Sequence, residues 1–561
     1  MLALRYTFPP HPRCPAVGLW GQLRMVSSSS SSSSTITAVD DDQLPVIRVP
    51  QQLQQKLKRG AGNQVAAVGL TLAKPGRLLI VGKRPQLNQH SGRIFGKFDQ
   101  VPLVSKGWKH MKAAGDYFTI NNTRTRPPAL PGDQGEEEEE EERQKSSGKA
   151  PSFSSLGLCI ELQDALDKMG ISRPTTVQSQ AIAALMRRKN ILCAAETGSG
   201  KTLSYLLPLM HTLISERLVP TDADWTGPHG LVLVPSRELA DQVCQVAQSL
   251  ASNLNLNVQT VGGGRGLGNV KLTLSRGQID LLISTPGILW KALKRDFISL
   301  RELTYLVLDE ADTLFDASFV ELLEGILNHT QIASNVSETH GVERKAQLVV
   351  TGATFPGGVG ELLSKITDLG SITTIKSKGL HYLMPHVKQK FTKVKRADKL
   401  SELLQVLKQL AKRPEFGILV FCNNAATVNW LGYILEDHRI KHFRLQGNMV
   451  AEKRSSIFDT FQRGLVDVLL CTDIASRGLD TRRVEIVINY DFPPTLCDYI
   501  HRAGRVGRVG GKVLGTVISF VTHPWDVELV QKIEASARQK LMLPGMESKI
   551  SEATTKIIAE L

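Results

Sequence analysis

The chain has 561 residues and a formal net charge of +14, from 68 Lys plus Arg and 54 Asp plus Glu. This length suits two to four domains, and a hydrophobic content of 42% is enough for packed cores. The sequence has no uncharged apolar run of about 18 residues, so we expect no membrane span. The seven cysteines are scattered, which argues against a disulfide framework or a CxxC zinc site. The basic excess favours an anionic partner without choosing among RNA, DNA and anionic lipid.

Residues 1–39 have the composition of a mitochondrial transit segment. They contain Arg5, Arg13 and Arg24, no Asp or Glu, and eight consecutive serines at 27–34. An acid-poor start that carries arginine and serine is typical of such segments. A disordered tail without a targeting role is the alternative.

Residues 40–132 form a predicted basic arm. Positions 43–132 hold 15 Lys plus Arg against two acids, interleaved with aromatics such as Trp108, Tyr117 and Phe118. Phosphate neutralisation combined with base stacking would use this mixture. A solvated, partly disordered arm without a defined site is the alternative.

Residues 133–150 form a predicted acidic linker, because the seven consecutive glutamates at 136–142 repel one another and favour an extended chain. The alternative is that this segment folds back onto the basic arm.

Short Val/Ile/Leu-rich runs alternate with helix-length segments from about residue 151 onward. This texture predicts parallel sheets covered by helices on both faces, whose ligands bind at the carboxyl ends of the strands. We expect two tandem α/β domains at 151–380 and 390–545, behind a disordered basic N-terminal extension. A linker at 381–389 would join the domains, and a tail would occupy 546–561.

A glycine-rich loop follows the apolar run 191–194. Its small residues let backbone N–H groups face a phosphate, Lys201 can neutralise the β- and γ-phosphates, and Thr202 can ligate Mg²⁺. The first position is Ala195 where the usual pattern has glycine. We therefore predict ATP binding by Ala195, Glu196, Thr197, Gly198, Ser199, Gly200, Lys201 and Thr202.

Carboxylates follow the apolar run 305–308. Asp309 is the predicted Mg²⁺ partner beside Thr202, directly or through water. Glu310 is predicted to orient or deprotonate the attacking water.

The sequence from Asp309 to Asp312 is Asp-Glu-Ala-Asp, and further motifs accompany it in a fixed order. They are 173-RPTTVQ, 235-PSRELA, 262-GG, 285-TPG, 352-GAT, 420-VFCN, 472-TDIASRGLD and 501-HRAGRVGR. From about residue 153 to 525 the chain therefore resembles the DEAD-box ATP-dependent RNA helicases. The resemblance implies two RecA-like domains that use ATP and Mg²⁺ and close on RNA.

The resemblance also implies the roles of individual residues. Arg505 and Arg508 would be arginine fingers that complete a catalytic set with Lys201, Asp309 and Glu310. Gln178 would bind the adenine edge, with Phe153 as the upstream aromatic and Asp480 on the ribose. The implied RNA-backbone contacts, which carry little sequence information, are Arg237, Gly263, Thr285, Arg454 and Thr472. The implied coupling residues are Asp312, Gly352, Thr354 and His501.

Four departures from the family pattern affect residues implied in adenine stacking, in the coupling of ATP hydrolysis to unwinding, and in RNA binding. Ile171 replaces an aromatic residue, Gly352 a serine, and Ile288 an arginine. Gln446 and Ala451 replace a His and a Gln. None of these departures touches the catalytic set.

We predict a monomeric, RNA-stimulated ATPase that locally remodels RNA. The stretches 44–49, 287–294, 492–499 and 522–526 resemble a mitochondrial branch of the family. That resemblance implies the mitochondrial matrix, with large-subunit ribosomal RNA and pre-ribosomal particles as partners. Two alternatives stay open: an ATP-gated RNA clamp or scaffold with little unwinding, and a nuclear or cytosolic helicase.

Three further groups of residues have unremarkable predicted roles. Trp430 and Trp525 are expected to pack inside the protein, because aromatic residues dominate cores. His381 and His386 are expected in a solvated linker. We expect buried, inert thiols at Cys193, Cys422 and Cys471.

Overall fold

A computed structural model gives the fold. It describes residues 77–93, 95, 99–122, 152–217, 227–262, 267–274, 278–340, 344–354, 359–377, 379–410, 416–447, 449–473, 481, 483–507 and 514–546. The predicted transit segment, the acidic linker and all but the first residue of the predicted tail lie outside these ranges.

The described strands are short and mostly buried. They are β1 (Leu78–Gly82), β2 (Gln89–His90), β3 (Tyr117–Ile120), β4 (Ile191–Ala194), β5 (Gly230–Leu233), β6 (Val258–Val261), β7 (Leu281–Ser284), β8 (Tyr305–Leu308), β9 (Gln347–Gly352), β10 (Thr373–Lys376), β11 (Lys388–Lys393), β12 (Gly417–Phe421), β13 (His442–Leu445), β14 (Val468–Cys471), β15 (Val484–Asn489) and β16 (Thr516–Val521).

The described α-helices connect these strands. They are α1 (Ile160–Lys168), α2 (Thr176–Met186), α3 (Lys201–Arg217), α4 (Arg237–Ala251), α5 (Leu267–Leu274), α6 (Pro286–Leu293), α7 (Ala311–Leu314), α8 (Ala317–Leu327), α9 (Val359–Ser364), α10 (Lys399–Leu410), α11 (Ala425–Asp437), α12 (Ala451–Gln462), α13 (Leu496–Ala503) and α14 (Pro524–Gln539).

Polar side chains fix where several of these helices begin. Ser236 accepts a hydrogen bond from the backbone N–H of Leu239 at the start of α4, and Asn424 does the same for Thr427 at α11. Such caps satisfy backbone donors that the first helical turn leaves unpaired. They place the helix starts next to the strand ends, where the predicted motifs lie.

The first domain is built on a seven-stranded sheet with the order β10-β4-β9-β8-β5-β7-β6. Every pairing in it is parallel. One apolar cluster that includes Val232 and Val307 lies on one face, and a second that includes Leu231 and Leu306 lies on the other. The prediction of a parallel sheet covered on both faces is confirmed.

The second domain has a parallel sheet in the order β13-β14-β12-β15-β16-β11. Apolar clusters again lie on its two faces. The prediction of two tandem α/β domains is therefore confirmed. β11 begins at Lys388, inside the range predicted for the linker.

The basic arm contributes three strands to the second domain, where disorder had been predicted. β3 pairs antiparallel with β11, β1 with β3, and β2 with β1, so the sheet grows to nine strands. The ring of Phe118 stacks 4.8 Å from that of Phe391, and Trp108 is buried beside it. Prediction of a wholly disordered extension is therefore wrong for this segment, because apolar burial outweighs its charge. Trp108 and Phe118 are also not available to stack on bases.

A buried polar network ties the same segment to α14. The Glu534 carboxylate accepts hydrogen bonds from the backbone N–H groups of Val104 (2.8 Å) and Ser105 (3.0 Å). Arg538 pairs with Glu534 at 2.8 Å and donates to the carbonyl of Leu87 at 2.9 Å. Both charges are buried and therefore need hydrogen-bond partners. The segment that contains β1–β3 supplies several of those partners.

The two linker histidines are buried, where solvation had been predicted. His386 Nε2 lies 2.6 Å from the carbonyl oxygen of Gly507, and the backbone N–H of Leu543 donates to the carbonyl of His381. The chain between the domains is therefore packed against the second domain. Across the described ranges, no helix has the length and apolarity needed to span a bilayer.

Candidate functional site

The phosphate-binding loop lies between β4 and α3. Gly198 and Gly200 have φ angles of +83° and +88°, a backbone conformation that glycine adopts without steric cost. The buried ammonium of Lys201 donates to the carbonyl oxygens of Ala195 (2.7 Å) and Glu196 (3.1 Å). The loop thus wraps around a cation, as phosphate binding requires.

Gln178 joins the start of α2 to this loop. Its side-chain oxygen accepts from the backbone N–H of Thr175 at 2.8 Å, and its Nε2 donates to the carbonyl of Gly200 at 3.1 Å. The Thr175 hydroxyl donates to the carbonyl of Ser199 at 3.0 Å. The residue predicted to bind adenine therefore also sets the position of the phosphate loop.

Phe153 lies in the core of the first domain, with 5% of its surface exposed. Ile171, which replaces the family's aromatic residue, packs against the same cluster. Phe153 therefore offers little surface to an adenine in this conformation, and adenine stacking on Phe153 stays a prediction.

Asp309 stands directly after β8, beneath the phosphate loop. It accepts hydrogen bonds from the Tyr205 hydroxyl at 2.8 Å and from the Thr351 hydroxyl at 2.5 Å. Burial, and then the neighbouring Glu310 carboxylate, raise the pKa of Asp309 above its ordinary value. A divalent cation beside Asp309 would reverse this effect, so the residue suits a Mg²⁺ site that Thr202 would complete.

Glu310 has a strained backbone and an unsatisfied side chain. Its φ of +51° lies in the left-handed region, which costs a residue with a Cβ on the order of 1–2 kcal/mol. Among the described residues its buried Oε2 has no hydrogen-bond partner. A buried carboxylate oxygen without a partner could accept a proton or hydrogen bond from an attacking water.

Three predicted coupling residues meet at the junction of the two domains. Asp312 Oδ2 accepts from the Thr354 hydroxyl at 2.9 Å and lies 2.8 Å from His501 Nε2 on α13. Burial alone would lower the pKa of His501, but the Asp312 carboxylate outweighs it and raises that pKa to about 10. Asp312 and His501 therefore form a buried ion pair between the domains.

Gly352, the fourth coupling residue, lies at the end of β9. Its carbonyl accepts from the backbone N–H of Ala195 at 3.1 Å. This contact with the phosphate loop needs no side chain at position 352, so replacing serine by glycine preserves it.

The turn after α13 faces the phosphate loop. The Thr197 hydroxyl lies 3.3 Å from the carbonyl oxygen of Gly504, and a Cβ at Gly504 would come within 1.9 Å of that hydroxyl. Arg505 follows Gly504, is buried, and its Nε donates to the carbonyl of His501. One predicted arginine finger thus adjoins the nucleotide loop, whereas Arg508 and Asp480 lie outside the described residues.

Arg237, a predicted RNA contact, lines a polar cleft of about 390 Å³ between α4 and α12, and Arg454, a second one, precedes the lining residue Ser455. Arg237 pairs with Asp241 at 3.6 Å, and Arg454 Nε lies 2.7 Å from Glu238 Oε1 across the domain junction. Asp241 and Glu238 thus already pair with these arginines, and RNA phosphates would have to compete with the two carboxylates.

The remaining predicted RNA contacts are Thr285, Thr472 and Gly263. Thr285 is the N-cap of α6, where its side chain makes no capping hydrogen bond, and Thr472 is half-buried just after β14. Gly263 lies outside the described ranges.

Comparison with known proteins agrees with this geometry. Residues 175–362 match the family described as DEAD/DEAH box helicase, and residues 398–510 match the helicase conserved C-terminal domain. The mouse (Mus musculus) protein "Probable ATP-dependent RNA helicase DDX28" is 51% identical over 522 residues, covering 91% of this chain and 94% of the mouse protein. Its human (Homo sapiens) counterpart is 50% identical over 520 residues, with the same two coverages.

The chain belongs to the DEAD-box RNA helicase family. It is an ATP-dependent RNA helicase and therefore an ATP hydrolase. Among solved structures, the helicase Mss116 bound to single-stranded RNA and UDP-BeF is similar at TM-score 0.60 and 21% identity, covering 73% of this chain and 84% of that one. Saccharomyces cerevisiae Dbp5 bound to RNA and ADP-BeF3 is similar at TM-score 0.56 and 24% identity, covering 73% and 99%. At such identities these structures support the fold alone.

Some residues that position the helicase site were not predicted. Arg502 is fully buried and donates to Asp473 at 2.6 Å and to Asn423 at 2.7 Å, in two motif segments of the second domain, and to the carbonyl of Asp491 at 2.8 Å. Tyr205 and Thr351, which hold Asp309, were also missed. Tyr205 lies one helical turn after Lys201, a spacing that could have identified it.

Proposed function

We propose that this helicase hydrolyses ATP in response to RNA and locally remodels RNA duplexes, acting as a monomer in the mitochondrial matrix on large-subunit ribosomal RNA in pre-ribosomal particles. The observation that carries the RNA-dependent activity is the Asp312–Thr354–His501 cluster. It connects the acidic loop beside the nucleotide site to the second domain, so the state of the nucleotide bears on how the domains meet.

Each group in the site has a part in this activity. Lys201 and the loop N–H groups bind the phosphates, and Glu310 accepts a hydrogen bond from the attacking water. Mg²⁺, held by Thr202 and Asp309, would neutralise charge on the phosphates. Arg505 approaches from the second domain and would act as an arginine finger together with Arg508, and such arginines are worth about 10³–10⁵ in rate.

RNA would bind across both domains through its backbone. Phosphates would displace Glu238 from Arg454 and Asp241 from Arg237, so RNA binding exchanges internal ion pairs for phosphate contacts. A duplex that must bend to reach both domains loses stacking, at a cost of a few kcal/mol per step. That cost lies within the energy that several phosphate contacts supply.

The decisive experiment compares wild type with Glu310→Gln in two assays: steady-state ATPase with and without RNA, and ATP-dependent strand release from a short duplex. We expect RNA-stimulated hydrolysis and release in wild type, with at least a 100-fold loss of turnover in the variant because its general base is gone. RNA retention that needs ATP but gives little turnover or release in wild type would favour the clamp. ATP hydrolysis that is indifferent to RNA would contradict both hypotheses.

The mitochondrial part of the proposal is supported by the composition of residues 1–39. A reporter fused to residues 1–40 should enter mitochondria, and a diffuse cytosolic or nuclear signal would contradict the assignment. Large-subunit ribosomal RNA should be enriched among RNAs crosslinked to the Glu310→Gln protein inside cells. Equal recovery of unrelated RNAs would reject that substrate.

A further inference from the structure

Two aromatic side chains project from the outer face of α11. Trp430 is 46% exposed and Tyr433 is 61% exposed. They are three residues apart on a helix, so their side chains are neighbours on one face. Sequence analysis predicted that Trp430 packs inside the protein, and the structure contradicts this because α11 covers β13, the outermost strand of the sheet. Among the described strands, β13 is the last on this side of the sheet.

Arg444 on β13 holds the ring of Tyr433 in place. Its guanidinium carbon lies 4.5 Å from the centre of that ring, within the range of a cation–π contact. The arginine stem packs so closely on Gly432 that a Cβ there would come within 2.0 Å of Nε. Glu436 pairs with the same guanidinium, which keeps it in position. The Tyr433 ring is therefore supported on one side and exposed elsewhere.

The aromatic pair is continuous with the proposed RNA contacts of the second domain. Asn429, one turn before Tyr433, accepts a hydrogen bond from Gln446 Nε2 at 3.0 Å. Gln446 precedes Gly447, whose carbonyl accepts from the Arg454 guanidinium at 3.0 Å. A short chain of hydrogen-bonded residues thus connects α11 to an arginine expected to bind the RNA backbone.

We propose that Trp430 and Tyr433 form a base-stacking platform that extends the RNA site of the second domain and binds single-stranded RNA beyond the central cleft. This inference rests on the proposed RNA-dependent function. Every base has a π-face, so the platform accepts any sequence, as backbone contacts do. Glu436, three residues after Tyr433, is paired with Arg444, whereas Arg454 and Lys453 lie on α12, so RNA phosphates favour the α12 side.

The test measures affinity for single-stranded RNAs of increasing length, by fluorescence anisotropy with a non-hydrolysable ATP analogue bound. Variants Trp430→Ala and Tyr433→Ala should each weaken binding of long RNAs by about 5- to 150-fold, the range for loss of one stacked base. The shortest RNA that fills the central cleft should bind the variants like wild type. ATP turnover at saturating RNA should also be unchanged, because neither residue touches the nucleotide site.

A matched control is Trp525→Ala. Trp525 is 63% exposed in the same domain, and its ring centre lies 4.3 Å from that of His523. It lies on α14, which packs near the N-terminal strands, at the opposite edge of the sheet from β13. Its removal should leave RNA affinity unchanged. Equal losses from Trp525→Ala and Trp430→Ala would overturn the platform, because a general effect would then explain both.

The outcome also separates the platform from the proposed function. If RNA stimulates the wild-type ATPase but the Trp430/Tyr433 double variant binds long RNA with full affinity, the platform alone is wrong, and a protein partner becomes the better occupant. If wild type binds no RNA, both proposals fail. Unchanged thermal unfolding of the variants shows that any loss of affinity is local.

Discussion

Asp309 and Asp312 are close in sequence but have different environments. Asp309 is surrounded by neutral donors, the hydroxyls of Tyr205 and Thr351, and its pKa is raised. Asp312 faces His501, whose pKa is raised to about 10. The first arrangement suits a carboxylate that meets a metal ion, and the second suits an ion pair between domains. Sequence spacing identified both acids, but their partners come from other segments and require the fold.

The His501 ion pair predicts a pH-dependent stability. His501 titrates near 6.5 when unfolded and at a higher pH when folded, so its contribution is fully present below pH 6.5. It is lost as pH rises through about 10. Replacing Asp312 by asparagine should cost about 3–5 kcal/mol near neutral pH, because the buried His501 loses the carboxylate that stabilises its charged form and must give up its proton.

Thermal unfolding of wild type and Asp312→Asn at pH 6, 8 and 9.5 would measure this. The gap between the two midpoints should narrow as the pH rises. Asp316→Asn is the control, because Asp316 caps α8 at an exposed position and its loss should give a small shift without this trend. A gap that stays constant or widens toward pH 9.5 would contradict the ion-pair assignment.

At the scale of elements, the two parallel sheets could be predicted because their strands are continuous apolar runs. β1 is also such a run, yet the surrounding lysines and arginines made its segment resemble a solvated arm. β1 pairs with β3, and β3 pairs with β11, which lies more than 250 residues later in the chain. Local composition carries no information about a partner so distant. Trp430 shows the opposite error, since its core placement was predicted although α11 lies at a sheet edge.

The N-terminal strands should contribute measurable stability to the second domain. Trp108 is fully buried, and its indole N–H donates to Asp116 at 3.1 Å. Trp108→Ala should therefore destabilise the domain by about 3–5 kcal/mol, through lost burial and the cavity left behind. Urea unfolding followed by circular dichroism would measure the loss. The exposed Trp525→Ala serves as the comparison and should shift stability by no more than about 0.5 kcal/mol. Equal stability of the two variants would show that the N-terminal strands contribute little to the stability of the second domain.

At the scale of the whole molecule, the second domain is discontinuous in sequence. Ile120, at the end of β3, lies opposite Gln389, near the start of β11, in an antiparallel pair. Residues 122 and 387 are therefore close to where a hairpin turn would join these strands. The entire first domain is inserted at that point, so both of its ends connect to the second domain. Family motifs locate the two catalytic domains but do not reveal this connection.

This topology predicts that the first domain can be replaced by a turn. A chain in which residues 77–122 are joined to 387–546 through a short loop containing Asn-Gly should fold as a single domain, because a two- to four-residue turn suits an antiparallel pair. Residues 387–546 alone should expose β11 and Phe391 and leave Glu534 and Arg538 without their N-terminal partners. Such an open, apolar sheet edge favours aggregation.

Size-exclusion chromatography and thermal unfolding of the two chains would decide the matter. The fused chain should be monomeric with a cooperative transition, and the chain lacking residues 77–122 should aggregate or unfold at a lower temperature. Adding Trp108→Ala to the fused chain should move it toward the truncated one, because both changes remove the same packing. If residues 387–546 fold equally well alone, the N-terminal strands are not needed for the second domain to fold. A truncated helicase that begins near residue 152 would then also be stable.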